Sequence, residues 1–247
     1  MISRTLDPTF LLDVANHPEV RPWLGSGSLA HFEAAIRHPA NVAITTEHGG
    51  WLLQQLQLGV YEIHSLFLPE GRGEHFFTAA KEMLRYMFTR TNCLEILTKC
   101  PDTNGAARMA SAKNGFRERF RREAAWEVGT PEECGVSYQY LTVDGWMIRD
   151  PEALKAGRMF HDVIERAKLM TGSSLPVHPD DETHDRAAGA AWLIANAGQS
   201  EKAAEVYTRW AVFAGYQPIV MLSHGVFDIG DAVIEILDGE TRVLLVR

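Results

Sequence analysis

Cysteine is scarce in this chain, long apolar runs are lacking and acidic residues outnumber basic ones. Three cysteines among 247 residues, Cys93, Cys100 and Cys134, are too few and too widely spaced for a disulfide framework or a Cys-x-x-Cys metal site. They fit a reducing compartment, so we expect a cytoplasmic protein. The first 25 residues contain acidic side chains and no uninterrupted apolar run, so we expect neither a signal peptide nor a membrane-spanning segment.

The charge balance argues against one class of partner. The chain has 24 Lys and Arg against 32 Asp and Glu, a net charge of −8. A dedicated binder of duplex nucleic acid neutralises phosphates with Lys and Arg, so we do not expect that function. A hydrophobic content of 46% predicts a packed core and excludes disordered and collagen-like classes.

Local patterns predict an α+β chain in two parts. Residues 1–144 show the order strand, two helices, three strands, a glycine loop, helix, strand, helix and two strands. Residues 145–247 show three helices, at about 151–170, 182–197 and 201–214. A strand pair follows, Ile219 to Leu222 and Ala232 to Val246, with a turn at Asp238-Gly239, and would close this smaller helical region as a β-hairpin.

A helix between two short apolar strands carries the first family resemblance. Asn104 precedes this helix as a cap, and Gly115 ends it. Family members commonly show Asn, then Ala three residues on, and Gly-Phe at the end. Asn104, Ala107, Gly115 and Phe116 fall in that register, so residues 1–144 resemble the GNAT acetyltransferase superfamily, whose fold is a mixed sheet flanked by helices.

A second pattern, Leu66-Phe67-Leu68-Pro69-Glu70-Gly71-Arg72-Gly73, resembles the end of the family's fourth strand and the start of its pyrophosphate loop. Backbone N–H groups at a helix N-terminus can cradle a pyrophosphate where glycines let it approach. The resemblance therefore implies that acetyl-CoA is the donor and that Leu66, Leu68, Gly71, Arg72, Gly73 and Asn104 bind it. An ordinary strand-to-helix turn would use the same glycines.

Two positions depart from the family pattern. If Arg72 begins the family's Arg/Gln-x-x-Gly-x-Gly/Ala motif, its glycine positions hold His75 and Phe77; if Gly71 and Gly73 are those glycines, its first position is Leu68. Ser111 stands where the family usually has the tyrosine that protonates the leaving thiolate. The resemblance makes Ser111 a candidate acid, while the sequence alone favours a small helix-packing residue.

The predicted fourth strand carries two candidate bases. Glu62 and His64 lie on one face of it, because side chains alternate along a strand. The resemblance implies that a carboxylate here serves as general base, and histidine can accept an amine proton near neutral pH. These residues would make the protein an acetyl-CoA-dependent N-acetyltransferase acting on an amine, unless they form a solvent-facing strand surface.

A looser likeness leaves a second function open. The stretches 66–73, 87–89, 98–99 and 120–123 resemble GNAT-like proteins encoded by tailed phages. That resemblance implies a non-catalytic structural or assembly subunit of a virion, located in the host cytoplasm or the particle. Its protein partners, possible virion subunits among them, would then bind through residues 145–247.

The second part also has polar and aromatic clusters. His161, His178, Asp180, Asp181, His184 and Asp185 are the residue types of a metal site, but acidic residues also favour the first turn of a helix, so we predict no metal. Trp192, Tyr207, Trp210 and Phe213 are expected in the core, or on a partner surface if nothing covers them.

Overall fold

The structure, a computed structural model, describes residues 1–24, 28–126, 134–172, 182–215, 220–223, 225–228, 232–237 and 240–246. The chain divides into two compact units. One comprises Met1–Leu84 and Cys93–Thr142, and the other comprises Arg85–Asn92 and Val143–Arg247. The domains at 1–144 and 145–247 stay a prediction from the sequence.

The first unit contains one mixed sheet. Its strands are β1 Ser3–Thr5, β2 Val42–Thr46, β3 Gly49–Gln57, β4 Val60–Phe67, β5 Glu95–Pro101, β6 Arg117–Trp126 and β7 Cys134–Thr142. They are arranged in the order β1-β2-β3-β4-β5-β7-β6. β4 and β5 pair in parallel, and the neighbouring pairs β3–β4 and β5–β7 are antiparallel. The sheet is therefore of mixed type, as the sequence predicted.

Helices flank this sheet. They are α1 Thr9–Ala15, α2 Leu29–Arg37, α3 Glu74–Arg90 and α4 Gly105–Lys113, with a 3-10 turn at Arg21–Leu24. The N-terminal helices and the sheet share a buried cluster that includes Leu11, Ile36, Leu52 and Leu66. Trp51 points to the opposite face by strand alternation and packs against Phe67 and Phe76, with ring centroids 4.7 and 5.7 Å away. The predicted α+β class is confirmed.

The second unit combines helices with a separate antiparallel sheet. Its elements are α5 Val143–Met147, α6 Pro151–Thr171, α7 Glu182–Asn196, α8 Ser200–Ala214, β8 Val220–Ser223, β9 Val226–Asp228, β10 Ala232–Leu237 and β11 Glu240–Val246. The strand order is β11-β10-β9-β8. The three long predicted helices are present, whereas α5 was missed because five residues are too few to show helical periodicity.

The predicted closing hairpin is part of a larger sheet. β10 and β11 pair as expected, with Leu237 opposite Glu240. β9 pairs with β10 on one side and with β8 on the other, which gives four strands. β9 has three residues, too short for two-residue alternation to be recognised. The predicted turn at Asp238-Gly239 lies outside the described residues.

The helices α6 and α7 cross in backbone contact at two glycines. A Cβ atom added at Gly189 would lie 1.8 Å from the carbonyl oxygen of Ala153, and one added at Gly157 would lie 1.8 Å from that of Asp185. Both distances are far inside van der Waals contact. This crossing therefore requires glycine at both positions.

The aromatic residues of α8 have different environments. Tyr207 is buried, and its hydroxyl lies 3.0 Å from His184 Nε2. Phe213 is 92% exposed. The expectation of a core holds for Tyr207 and is wrong for Phe213, while a partner surface in this part of the chain stays a prediction.

Candidate functional site

The candidate site lies in the first unit, where β4 and β5 part. Their parallel pairing runs from Val60 and Glu95 to Glu62 and Leu97. In this fully described stretch both strands continue beyond that point, β4 beside β3 to Phe67 and β5 beside β7 to Pro101. Because the hydrogen-bonded pairing of β4 with β5 ends at this point, a gap opens between the two strands.

A cleft of about 500 Å³ occupies this gap. Its lining comes from β3, β4, β5, α3, α4 and the segment that follows α1. The lining includes Glu62, His64, Arg72, Gly73, Asn104 and Ser111, which are six of the nine residues predicted for the site. A single cavity thus brings together residues up to 49 positions apart in the chain (62 to 111).

The N-terminus of α3 opens at this cleft. Phe77 N donates to Gly73 O at 3.2 Å, the first α-helical bond of α3. The N–H groups of residues 74–76 precede that bond, and a helix leaves its first N–H groups without intrahelical acceptors. Gly73 has φ +75° and open space where a side chain would stand. These donors and the helix dipole suit an anion.

The remaining loop residues have structural partners. A Cβ atom at Gly71 would lie 2.6 Å from His48 Cβ, so close packing requires this glycine. Leu66 is buried in the core cluster, and Leu68 packs against it while its N–H donates to His48 O at 3.0 Å. Leu66, Leu68 and Gly71 are not among the residues that line the cleft. Their assignment to acetyl-CoA stays a prediction.

Arg72 lies at the mouth of the loop and is held by the segment after α1. Its Nη1 atom is 3.1 Å from Glu19 Oε2, and its Nη2 atom donates to Glu19 O at 3.4 Å. An arginine bound in this way fixes the segment beside α3. A ligand phosphate would have to compete with the Glu19 carboxylate for the guanidinium.

The two candidate bases face the cleft next to a lysine. Lys99 Nζ donates to Glu62 Oε2 at 2.9 Å. His64 Nε2 lies 2.9 Å from Gln54 Oε1 and 3.9 Å from Glu62 Oε1. Burial lowers the pKa of His64 below its ordinary value, Glu62 opposes that shift, and Lys99 adds to it. His64 is therefore neutral at physiological pH. Because Nε2 donates to the Gln54 oxygen, Nδ1 is the ring atom able to accept a further proton.

Ser111 lies on α4, and Asn104 comes directly before the first residue of that helix. Asn104 Oδ1 accepts a hydrogen bond from Ala107 N at 2.9 Å, so this side chain caps α4. Ser111 Oγ is 3.5 Å from Cys100 Sγ, and burial raises the pKa of the Cys100 thiol. The cap accounts for Asn104 as the sequence predicted, and Asn104 also lines the cleft.

Sequence reasoning missed Trp51 as a residue of this site. Trp51 is fully buried and lines the cleft, and its Nε1 has no hydrogen-bond partner among the described residues. A buried N–H without an acceptor costs free energy, which an acceptor on a ligand would recover. No motif indicates such a residue, because its role depends on two strands parting beside it.

The described residues hold no group of three or more His, Cys, Asp or Glu side chains able to bind a metal ion. His161 Nδ1 and Asp185 Oδ1 lie 3.7 Å apart. His178, Asp180 and Asp181 lie outside the described residues. Within the described ranges, no helix combines the length and hydropathy that a bilayer crossing requires.

Comparison with known proteins yields structural neighbours only. No protein-family model matches the sequence, and no curated protein matches it. Spermidine N-acetyltransferase from Vibrio cholerae, solved with CoA and spermine, aligns with a TM-score of 0.51 at 18% identity, over 60% of this chain and 97% of its own. A chimera of that enzyme with hSSAT aligns with a TM-score of 0.50 at 18% identity, over 60% and 99%. At this identity the likeness concerns the fold alone, and the seven-stranded mixed sheet with its flanking helices is consistent with the GNAT fold.

Proposed function

We propose that the first unit is an acetyl-CoA-dependent N-acetyltransferase that acts on an amine. The observation that carries this proposal is the cleft between β4 and β5, with the open N-terminus of α3 at one part of its lining and Glu62 and His64 at another. The structural neighbours are N-acetyltransferases of an amine, one of them solved with CoA, which supports the same reaction class.

The donor would lie along the parted strands. The first N–H groups of α3 and the glycine at position 73 would hold the pyrophosphate, and Asn104 would lie beside the pantetheine arm. The unsatisfied indole N–H of Trp51 offers a further donor inside the cleft. The donor supplies an activated acetyl group as a thioester.

Transfer then needs a deprotonated amine next to that thioester. His64 takes a proton from the ammonium group, and Glu62 stabilises the imidazolium that forms. The amine nitrogen attacks the carbonyl carbon, the C–N bond forms, and the C–S bond breaks to release a thiolate. The nitrogen then loses its remaining excess proton to that thiolate, so the products are a neutral amide and a thiol. A thiol has a pKa of about 8.5, so the thiolate is a good leaving group, and Ser111 need not be a strong acid. Proximity in the cleft supplies much of the acceleration.

Titration calorimetry with acetyl-CoA tests the donor site. We expect binding to the wild-type protein and its loss in Gly73→Trp, because the indole would fill the approach to α3 and strain a residue with φ +75°. Gly198→Trp is the matched control, since Gly198 has φ +85° with open space and lies in the other unit. Wild-type protein that binds no acetyl-CoA at millimolar concentration would overturn the proposal.

The alternative of a phage virion subunit stays a prediction from sequence. None of the comparisons addresses it. The calorimetric experiment separates the two functions, because a purely structural subunit has no need for an intact donor cleft.

A further inference from the structure

The charges that line the cleft cancel in pairs. Its carboxylates are Glu19 and Glu62, and its cationic side chains are Arg72 and Lys99. Arg72 Nη1 is 3.1 Å from Glu19 Oε2, and Lys99 Nζ is 2.9 Å from Glu62 Oε2. With His64 neutral, the described lining carries no net charge and both carboxylates already have cationic partners.

This pairing disfavours an acceptor with several positive charges. A polyamine brings one ammonium group to react and others that need carboxylates of their own. Within the described lining each carboxylate already has a cation within 3.1 Å, so a further ammonium group would have to share a carboxylate with Arg72 or Lys99. Two cations at one carboxylate repel each other, most strongly at Glu62, which is 14% exposed, and less at the exposed Arg72–Glu19 pair. An acceptor with a single amino group avoids that cost.

The cleft also has an apolar wall. Val20, Trp23 and Leu24 line the cleft, and Trp23 is 37% exposed. Val20 belongs to the core cluster that contains Leu66, and Leu24 packs against that cluster. His64 shares a face of β4 with Leu66 by strand alternation. The apolar wall therefore lies on the face of the sheet that carries the candidate bases.

We propose that the acceptor is a monoamine with an apolar body of aromatic size. Its amino group lies at Glu62 and His64, and its body packs on Trp23 and Leu24. This inference rests on the proposed function and names the substrate class for the same site. The single ammonium approaches Glu62 before it loses its proton to His64, and an aromatic ring supplies the contact area that Trp23 offers.

Steady-state kinetics with three amines tests the substrate class. Phenethylamine, butylamine and spermidine are compared as acceptors for acetyl-CoA, and calorimetry measures the binding of each amine to the CoA-loaded protein. We expect kcat/KM for phenethylamine to exceed that for spermidine by about tenfold or more, because the aromatic body gains contact and spermidine brings unpaired charge. A preference for spermidine in either measurement would overturn the inference.

Binding and turnover together distinguish this inference from the proposed function. If phenethylamine binds in preference to spermidine but is not acetylated, the proposed reaction fails while the ligand class stands. If none of the amines binds or reacts, the ligand class is wrong. Neither result depends on a variant that has to fold.

Two variants assign the preference to named residues. Trp23→Ala should lower kcat/KM for phenethylamine by about tenfold and that for butylamine by much less, because the aromatic ring makes the larger contact with the indole. Phe10→Ala is the matched control, because Phe10 is 36% exposed and is not among the lining residues. Lys99→Met leaves Glu62 without its cationic partner and should raise kcat/KM for spermidine relative to that for butylamine, since any change at His64 affects both amines alike. An equal loss for both monoamines in Trp23→Ala would show a merely structural role and contradict the assignment.

Discussion

His64 owes its proposed role to its neighbours. Any histidine has a pKa near neutrality, but burial and Lys99 bring that of His64 below the ordinary value, against the opposing effect of Glu62. Lys99 also holds the carboxylate that would stabilise the imidazolium. A change at Lys99 should therefore alter His64 chemistry although Lys99 takes no proton itself.

The pH profile of kcat/KM tests this coupling. A base works only when neutral, so activity should fall as the pH drops through the pKa of His64, which lies below its ordinary value of about 6.5. Lys99→Met removes a lowering influence and leaves Glu62 to raise the pKa. We therefore expect the acid limb of the profile to move to higher pH.

Matched variants complete that experiment. Lys81→Met removes an exposed lysine of α3 and should leave the limb in place. His64→Gln should abolish the limb and lower kcat/KM by about a hundredfold or more, the usual contribution of a general base. An acid limb that stays the same in Lys99→Met would contradict the assignment of His64 as the base.

At the scale of elements, the contact between α6 and α7 depends on the absence of side chains. Gly157 and Gly189 each face a backbone carbonyl of the opposite helix. Helical glycine is intrinsically unfavourable relative to alanine, so the close approach has to offset that cost. Asp150 adds a second constraint by accepting bonds from Glu152 N and Ala153 N at the start of α6, at 2.9 and 3.2 Å.

Gly189→Ala should lower the free energy of unfolding by about 1–3 kcal/mol, because its methyl group meets the Ala153 carbonyl and forces the helices apart. Urea unfolding measures this effect. Gly105→Ala is the matched control, since a Cβ atom at that helical glycine would meet nothing within 4 Å; it should be neutral or slightly stabilising. If both variants lost the same stability, the close helix crossing would not be the cause.

At the scale of the whole molecule, the two units differ in the features that they contain. The first unit holds the cleft and every residue proposed for catalysis or donor binding, whereas the second unit holds close helix packing and a separate sheet. A ligand that binds the native state stabilises it by mass action, and the protection should be strongest around the elements that contact the ligand.

Hydrogen exchange with saturating acetyl-CoA tests that localisation. We expect slower exchange in residues 60–77 and 96–116, which contain β4, the start of α3, β5 and α4. Exchange in α6, α7 and α8 should change little. The Gly73→Trp variant should lose the protection. Protection centred on the second unit would place the ligand outside the proposed cleft.

The sequence by itself determined the order of most elements, the α+β class and a short set of candidate residues. Apolar periodicity specified the long helices and strands, and Asn104 and Gly115 marked the ends of α4 as capping chemistry predicts. Glu62 and His64 could be placed on one face because alternation along a strand is a local property. These features depend on residues close together in the chain.

Tertiary structure alone decided the rest. Lys99, Trp51 and Trp23 belong to the cleft because β4 and β5 part after a short parallel pairing, and no local pattern encodes that separation. The pairing of Glu19 with Arg72 joins residues 53 positions apart. The α6–α7 crossing depends in the same way on Gly157 and Gly189, which are 32 positions apart. Local periodicity shows which side chains of one segment are buried. Charge neutralisation and close packing depend on which segment, distant in sequence, packs against it.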